Sequence, residues 1–455
     1  MPEGSAPSTA ISRSRRDTWL VTARIACILL AATAIIYQWV RIMRAPNNDF
    51  DLHYLFAQHF IKGDFLYTLG FHWPYPPFWA LAHTPFTLMS PSTAQVVYYP
   101  FGLLTVFGLI IILGRLMRRD GQRRHDVQFW TVMLAVLLCL RYLLRDGMEL
   151  YINTTLVLLA WLSVYAWTKG RDWLGGACLG LAVALKMTAG LFIPYFLLKR
   201  QWKLAGSAIL FAGLFTLSPM LRTGPTSYVE HMKAWSGRIV EGLSQKDPSV
   251  GVLGDEQFEN MSLRSTLVRY LMDLPIGHAG RAPLFRADGS RETDRSHPGY
   301  VTILSLSPAA TTWIIRLATL AMLLVVAWPM RKAPSGRDDP RIIWECAAVS
   351  LLLLVLSPIT WGQHCVGVLP ACLLISDRLL RGQRFRLWMM VLLSWYVLVV
   401  VILNRGIVGK STDALFQSYH LETFAIIALL AVVMGWRRRV EFSALSSQPP
   451  LAQSS

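Results

Sequence analysis

One pattern constrains this chain more than any other: apolar runs, many of about 17–25 residues, alternate with short turns dense in arginine and lysine. Runs of that length cross a hydrocarbon core of about 30 Å as helices. A soluble enzyme is excluded, and so is a domain held by a single membrane anchor. Composition agrees. The 455 residues are 54% hydrophobic and only 16% charged, whereas a soluble domain is roughly 45–50% apolar and about 25% charged. The net charge of +17 would suggest nucleic acid in a soluble protein. Here the basic residues sit in turns between apolar runs, where they set membrane topology, and no nucleic-acid partner is expected.

The positive-inside rule then orders the chain. Arg13, Arg15 and Arg16 precede a first span at about 20–40 and place the N-terminus in the cytoplasm. Residues 47–92 are too polar and too broken by proline to span, and hold an amphipathic piece at 52–61 and a short apolar piece at 78–89 of re-entrant or interfacial character. Further spans are expected at about 94–116, 129–144 and 155–167. Residues 174–198 have basic turns on both sides and Lys186 in the middle, which reads as a hairpin of two short legs breaking near residues 186–190. A span at 205–220 leads into the longest polar stretch, 222–304, with ten basic and ten acidic residues; long translocated loops are exempt from the charge rule. The remaining spans fall at about 309–328, 342–358, 365–375, 387–403 and 423–434.

The expectation is an all-α, multi-pass protein of the cell (inner) membrane with about twelve transmembrane helices, some short or broken. Residues 1–17 form a cytoplasmic tail, 18–440 the membrane domain with outer loops at about 43–92 and 222–304, and 441–455 a polar cytoplasmic tail. The six cysteines (Cys27, Cys139, Cys178, Cys346, Cys365, Cys372) lie in or beside apolar segments without a CxxC pair, so neither a disulfide framework nor a zinc site is indicated. The first apolar run lacks a small-residue cleavage site and reads as a membrane helix rather than a signal peptide.

The informative residues are then the ionisable groups on the outer side or at membrane depth, where charge is costly and faces a cavity or a partner. In Asn48-Asp49-Phe50-Asp51-Leu52-His53-Tyr54, an extended segment would put Asp49 and Asp51 on one face and a helix would separate them. One of them is a candidate general base for an acceptor hydroxyl; the alternative is a helix cap beside a solvated carboxylate. Two carboxylates alone are a weak metal signal. The aromatics of His72-Trp73-Pro74-Tyr75-Pro76-Pro77 suit an interfacial belt or a sugar face. Arg141, Arg145, Glu149 and Asn153 cluster near two outer helix ends. Lys186 either snorkels or pairs with a phosphate. Asn260 and Ser262 open a helical segment and suit N-caps, and residues 357–364 place Trp361 and His364 in one outer turn.

Those segments, in that order, resemble the polytopic glycosyltransferases of family 87, from about residue 49 to 370. The resemblance rests on Asp49-Phe50, Tyr54, Ala57, Gly63 and Tyr67; on Tyr75-Pro76-Pro77; on Gly180-Leu181-Ala182 followed by Ala184-Leu185-Lys186-Met187-Thr188; on Lys199-Arg200-Gln201-Trp202; on Asn260-Met261-Ser262-Leu263; and on Ser357 through His364. Two departures stand out. Of a Gly-Gln-x-Asn element only Asn153 remains, with Tyr151 in the Gln position, and Gly362-Gln363 replaces an acidic-His pair before His364. Asp51-Leu52-His53 also resembles the Asp-Leu-His of the mannosyltransferase branch, so the register of the base stays open between Asp49 and Asp51.

The family includes mycobacterial polyprenol-phosphate-mannose-dependent mannosyltransferases acting on phosphatidylinositol mannosides. The resemblance implies a C-type glycosyltransferase fold with its site on extracytoplasmic loops. It also implies inverting transfer of a hexose, mannose by family weight, from a polyprenyl-phosphate sugar to a lipid or glycan acceptor among membrane lipids. Asp49 or Asp51 would be the base. Lys186, with Arg141 or Arg145, would meet the charge growing on the phosphate. His53, Tyr54, Tyr75, Asn153, Asn260, Ser262, Trp361 and His364 would contact substrate. No cofactor and no metal site are expected. A lipid-linked-sugar flippase or solute carrier is the alternative from another class; it is disfavoured because no inverted repeat is visible.

Overall fold

A computed structural model describes residues 8–44, 49–69, 73–117, 125–286 and 290–446. His72, the arginines at 118–124 and the tail from 447 lie outside these residues. The chain divides into two units, Met1–Asn47 and Asn48–Ser455. The first holds one helix, α1 (Ser8–Arg44), which starts well ahead of the apolar run; its part Thr18–Arg44 is long and apolar enough to cross a membrane.

The second unit is helical almost throughout. It opens with α2 (Asp49–Lys62), α3 (Pro77–His83), α4 (Pro91–Met117), α5 (His125–Met148) and α6 (Ile152–Thr168). Next come α7 (Asp172–Leu185), α8 (Phe192–Leu198), α9 (Trp202–Leu217), α10 (Met220–Thr223) and α11 (Pro225–Ser244). The long loop carries α12 (Leu263–Leu271) and two small antiparallel hairpins, β1 (Val250–Gly251) with β2 (Gly254–Asp255), and β3 (Pro283–Phe285) with β4 (Arg291–Ser296). The chain closes through α13 (Pro308–Met330), α14 (Arg341–Leu356), α15 (Leu369–Leu380), α16 (Leu387–Tyr396), α17 (Arg405–Val408), α18 (Lys410–Ser418) and α19 (Leu421–Ser446).

Among the described residues of the whole chain, five helices are long and apolar enough to span, or six if the pair Lys410–Ser418 and Leu421–Val440, bent by 60°, counts as one. Four shorter apolar helices accompany them: Ile152–Thr168, Asp172–Leu185, Met187–Leu198 and Leu387–Ile402. The sequence count of about twelve treats such short pieces as spans in their own right. The chain is thus a polytopic helical membrane protein in which several elements are too short to cross alone.

The hairpin expected around Lys186 is present. Helix α7 stops at Leu185, Lys186 is extended (φ −151°, ψ 116°), and a 3₁₀ turn at Met187–Leu191 leads into α8. The chain then returns to its starting level, for the Trp167 indole donates to Gln201 (2.9 Å) and the Ser207 hydroxyl to the Asp172 carbonyl (3.2 Å). Helices α7 and α9 consequently run parallel in contact. A Cβ on Gly176 would lie 2.0 Å from Ser207 Oγ, and one on Gly180 2.6 Å from the Ala212 nitrogen. Glycine is needed here because backbones this close leave no room for a methyl group, the usual way helices pack where no water drives them together.

The two ends of the helical unit differ in chemistry. At one end the basic turns gather. Arg337 pairs with Asp172 at 2.8 Å, Lys199 reaches the Lys332 carbonyl at 2.8 Å, and Arg439 reaches the Arg384 carbonyl. Fully buried Glu345 binds Lys199 (2.6 Å), Arg437 (2.9 Å) and the Tyr195 hydroxyl (3.0 Å), joining α8, α14 and α19. The opposite end carries α2, α3, the 222–304 segment and the turn after α14, tied by Trp235 donating to the Pro74 carbonyl (3.0 Å) and Met261 to the Thr360 carbonyl (2.7 Å). Gly176→Ala and Gly180→Ala should each cost about 1–3 kcal/mol by forcing the seam apart, read as a lower thermal midpoint of the detergent-solubilised protein. An unchanged midpoint in both would contradict the α7–α9 contact.

Candidate active site

At the end opposite the basic turns lies a cavity of about 480 Å³. Its polar lining is brought together from four separated stretches: Asp49 and His53 from α2, Tyr75 from the segment before α3, Lys186 from the hairpin tip, and Ser357, Trp361 and His364 from the turn after α14. Apart from Thr188 beside the hairpin tip, the rest is apolar, including Leu353 and Leu356 of α14 and Trp235, Ile239 and Leu243 of α11. The spacing of these last three puts them on one helix face. A smaller apolar recess of about 70 Å³ lies beneath it, sharing Lys186, Thr188, Leu353 and His364. A large apolar wall with a few convergent polar groups is the usual form of a ligand site.

Asp49 is the first residue of α2, and its backbone N–H donates to Glu149 Oε2 at 2.8 Å. Burial raises the Asp49 pKa above its ordinary value; Lys186, a hydrogen bond from the Gln363 side chain and the Arg145 charge oppose that rise. Glu149 is pushed up to about 7, chiefly by burial and then by the Asp49 charge. Two carboxyl groups thus sit together, both biased toward their protonated forms. Arg145 is exposed beside them and makes no hydrogen bond or ion pair among the described residues.

Lys186 is half-buried at the hairpin tip. Its ammonium lies 3.0 Å from His364 Nε2, 3.4 Å from Asn153 Oδ1 and 5.6 Å from the centre of the Tyr75 ring. His364 is set by its own turn, where its Nδ1 lies 3.0 Å from the Trp361 backbone nitrogen. Asn153 is fixed by Asp146 at the end of α5, which accepts from the backbone and side chains of both Asn153 and Thr154 at 2.7–3.2 Å. His53 is buried in an aromatic cage: its Nδ1 accepts from the Trp79 indole (3.1 Å), and Trp73, Tyr75 and His83 rings surround it. Tyr75 stacks on Trp79 with ring centres 4.2 Å apart.

Other expected site residues lie away from the cavity. The segment holding Asp49 and Asp51 is helical rather than extended, so the two carboxylates diverge; Asp51 accepts from Gln95 of α4. Tyr54 donates to the Met89 carbonyl (2.7 Å). Arg141 is locked between Asp413 and Glu422, both at 2.8 Å, tying α5 to α18 and α19. Ser262 caps α12 by accepting from the Ser265 N–H (3.1 Å). Asn260 acts as a staple: its amide donates to Glu256 and the Pro358 carbonyl, and its oxygen accepts from the Thr360 N–H, at 2.8–2.9 Å. It holds the Trp361–His364 turn without reaching the cavity.

Sequence reasoning passed over Glu149 as a site residue, together with Trp73, Trp235 and Gln363. The signal for Trp235 was present in the periodicity of α11. Nothing local marked Gln363 or the approach of Glu149 to Asp49. Among the described residues, no three His, Cys, Asp or Glu side chains come together to hold a metal ion.

Comparison with known proteins bears on what such a site belongs to. The sequence model of glycosyltransferase family 87 matches residues 73–358. A polyprenol-phosphate-mannose-dependent alpha-(1-2)-phosphatidylinositol mannoside mannosyltransferase of Mycolicibacterium smegmatis is 24% identical, covering 94% of each chain. The protein of the same description from Mycobacterium tuberculosis is 26% identical over 92% of this chain and 88% of its own. An alpha-(1->3)-arabinofuranosyltransferase of Corynebacterium glutamicum is 23% identical over 54% of this chain and 60% of its own. No solved structure matches the chain. With well over half its length matched, this polytopic membrane protein belongs to glycosyltransferase family 87.

Proposed function

We propose that the protein transfers mannose from a polyprenyl-phosphate mannose to a membrane glycolipid, with Asp49 as general base and Lys186 as the phosphate's counter-charge. One observation carries the reading: a carboxylate and an ammonium from distant parts of the chain line the same largely apolar cavity. The names of the mannosyltransferase relatives supply the donor and the acceptor class. The cavity's position opposite the basic turns supports, through the positive-inside rule, a site facing outward from the cell membrane.

In the reaction an acceptor hydroxyl attacks the anomeric carbon as its proton passes to the Asp49 carboxylate. The bond between the anomeric carbon and the phosphate oxygen breaks, and its electron pair leaves with the phosphate. The donor's phosphodiester bears one negative charge and the departing monoester tends toward two. The cation nearest that group must therefore stabilise the transition state more than the ground state. Lys186 fills this role, and exposed Arg145 adds charge at the rim. His364 and Asn153 aim the ammonium, and Tyr75 with its Trp79 backing offers a flat face to a sugar ring. The apolar wall and the recess below it suit an isoprenoid.

In proteoliposomes supplied with polyprenyl-phosphate mannose and a phosphatidylinositol mannoside acceptor, Asp49→Asn should lower the transfer rate by about 100- to 10,000-fold. Asp51→Asn should stay within about tenfold of wild type. Loss confined to the Asp51 variant would move the base, and transfer that survives in both would remove the carboxylate mechanism. The acid limb of the kcat/KM profile gives a second check. Asp49 works deprotonated and its pKa is raised, so activity should fall away with decreasing pH above the ordinary Asp value of about 4. A limb at that ordinary value would contradict a desolvated base.

A further inference from the structure

The turn between α5 and α6 is unusual. Leu150 and Tyr151, neither a glycine, are both left-handed, at φ 60° and 62°, a conformation that costs a non-glycine residue roughly 1 kcal/mol or more. Both are buried. Four features over-determine the turn. The Tyr151 N–H donates to the Asp146 carbonyl (2.8 Å) and the Glu149 N–H to the same oxygen (3.0 Å). The Asp146 carboxylate binds the first turn of α6. Tyr151 packs on Tyr99 with ring centres 5.6 Å apart. Gly102 of α4 lies directly behind, where a Cβ would meet the Leu150 carbonyl oxygen at 2.2 Å.

Strain held this firmly has an output. The turn delivers Glu149 to the Asp49 N–H at 2.8 Å and, a few residues on, Asn153 to Lys186 at 3.4 Å. Asp49 opens α2 beside residues 45–48, and the Glu149 contact fastens it to the helical bundle. We infer that Glu149 is a positioning residue: by accepting the Asp49 N–H it fixes the backbone of the base. The inference rests on the reading of Asp49 as the base. The charged and titratable groups facing this pair are Lys186 from the hairpin tip, Arg145 and Asp146 from α5, and Tyr75 from the segment before α3. Neither of the two from outside α5 accepts the Asp49 N–H, so no other described group replaces Glu149 in that bond.

The test compares Glu149→Gln, Glu149→Ala and Asp49→Asn in the same proteoliposome assay, after checking that each variant folds by its thermal midpoint in detergent. Glutamine keeps an oxygen for the Asp49 N–H and removes the charge. Glu149→Gln should retain kcat within about threefold and leave the acid limb in place, because Glu149, pushed up to about 7, is already protonated where Asp49 titrates. Glu149→Ala removes the acceptor and should lower kcat by about 100-fold, the scale of an ångström-level misplacement, with donor KM within about threefold. A purely structural Glu149 would lower the thermal midpoint and kcat together in both variants, with no rescue by glutamine, which would overturn the inference. So would wild-type kcat and pH profile in Glu149→Ala while Asp49→Asn is inactive. If Asp49→Asn is itself active, the reading of the base fails first and the inference falls with it.

Discussion

A lysine ammonium at the tip of an apolar hairpin is the constraint around which the second unit of this protein is organised. In hydrocarbon alone such a charge is costly, so the chain must either hide it or provide for it. Here the helix stops at Leu185, Lys186 is extended, and His364, Asn153 and the Tyr75 face meet it. Each partner needs its own support. His364 depends on a turn stapled by Asn260, and Asn153 depends on the Asp146 carboxylate. The hairpin's reach is fixed by glycines that let α7 lie against α9. Removing any one support disturbs the place where the charge sits.

The two ends of the unit use charge in opposite ways. At the basic end, Glu345 is saturated by Lys199, Arg437 and Tyr195 in full burial. Both of its carboxylate oxygens are taken. At the other end Asp49 and Lys186 line an open cavity, and Arg145 is left unpaired among the described residues. Ion pairs that are complete hold helices together, and those left incomplete can answer a ligand whose charge changes during reaction.

Much of this was legible in the sequence. The basic turns at Lys199, Arg337 and Arg437 do lie at one end, because the charge rule follows from lipid physics rather than from tertiary detail. The break at Lys186 was visible for the same reason: a charge midway along an apolar run is informative by itself. What could not be read were choices made by contact. Arg141 and Arg145 stand one helical turn apart, yet one is sealed between Asp413 and Glu422 and the other is exposed beside Asp49. Asp49 and Asp51 lie on different sides of α2: one lines the cavity, and the other accepts from Gln95 on α4. Their partners come from distant segments, and a single sequence does not disclose such pairings.

The buried cluster at Glu345 also bears on how the protein is made. Its three charges come from the turn after α8, from α14 and from α19, and Arg437 of α19 follows Glu345 by 92 residues. Until α19 enters the membrane, Glu345 has Lys199 but lacks Arg437. Until α14 does, Lys199 has no carboxylate at all. Synthesis from the N-terminus therefore leaves Lys199 without its carboxylate until α14 arrives, and the second Glu345 oxygen gains its cation only when α19 does. Assembly of the basic end therefore waits on α19, so a product truncated before that helix would be left with an unfinished seam there.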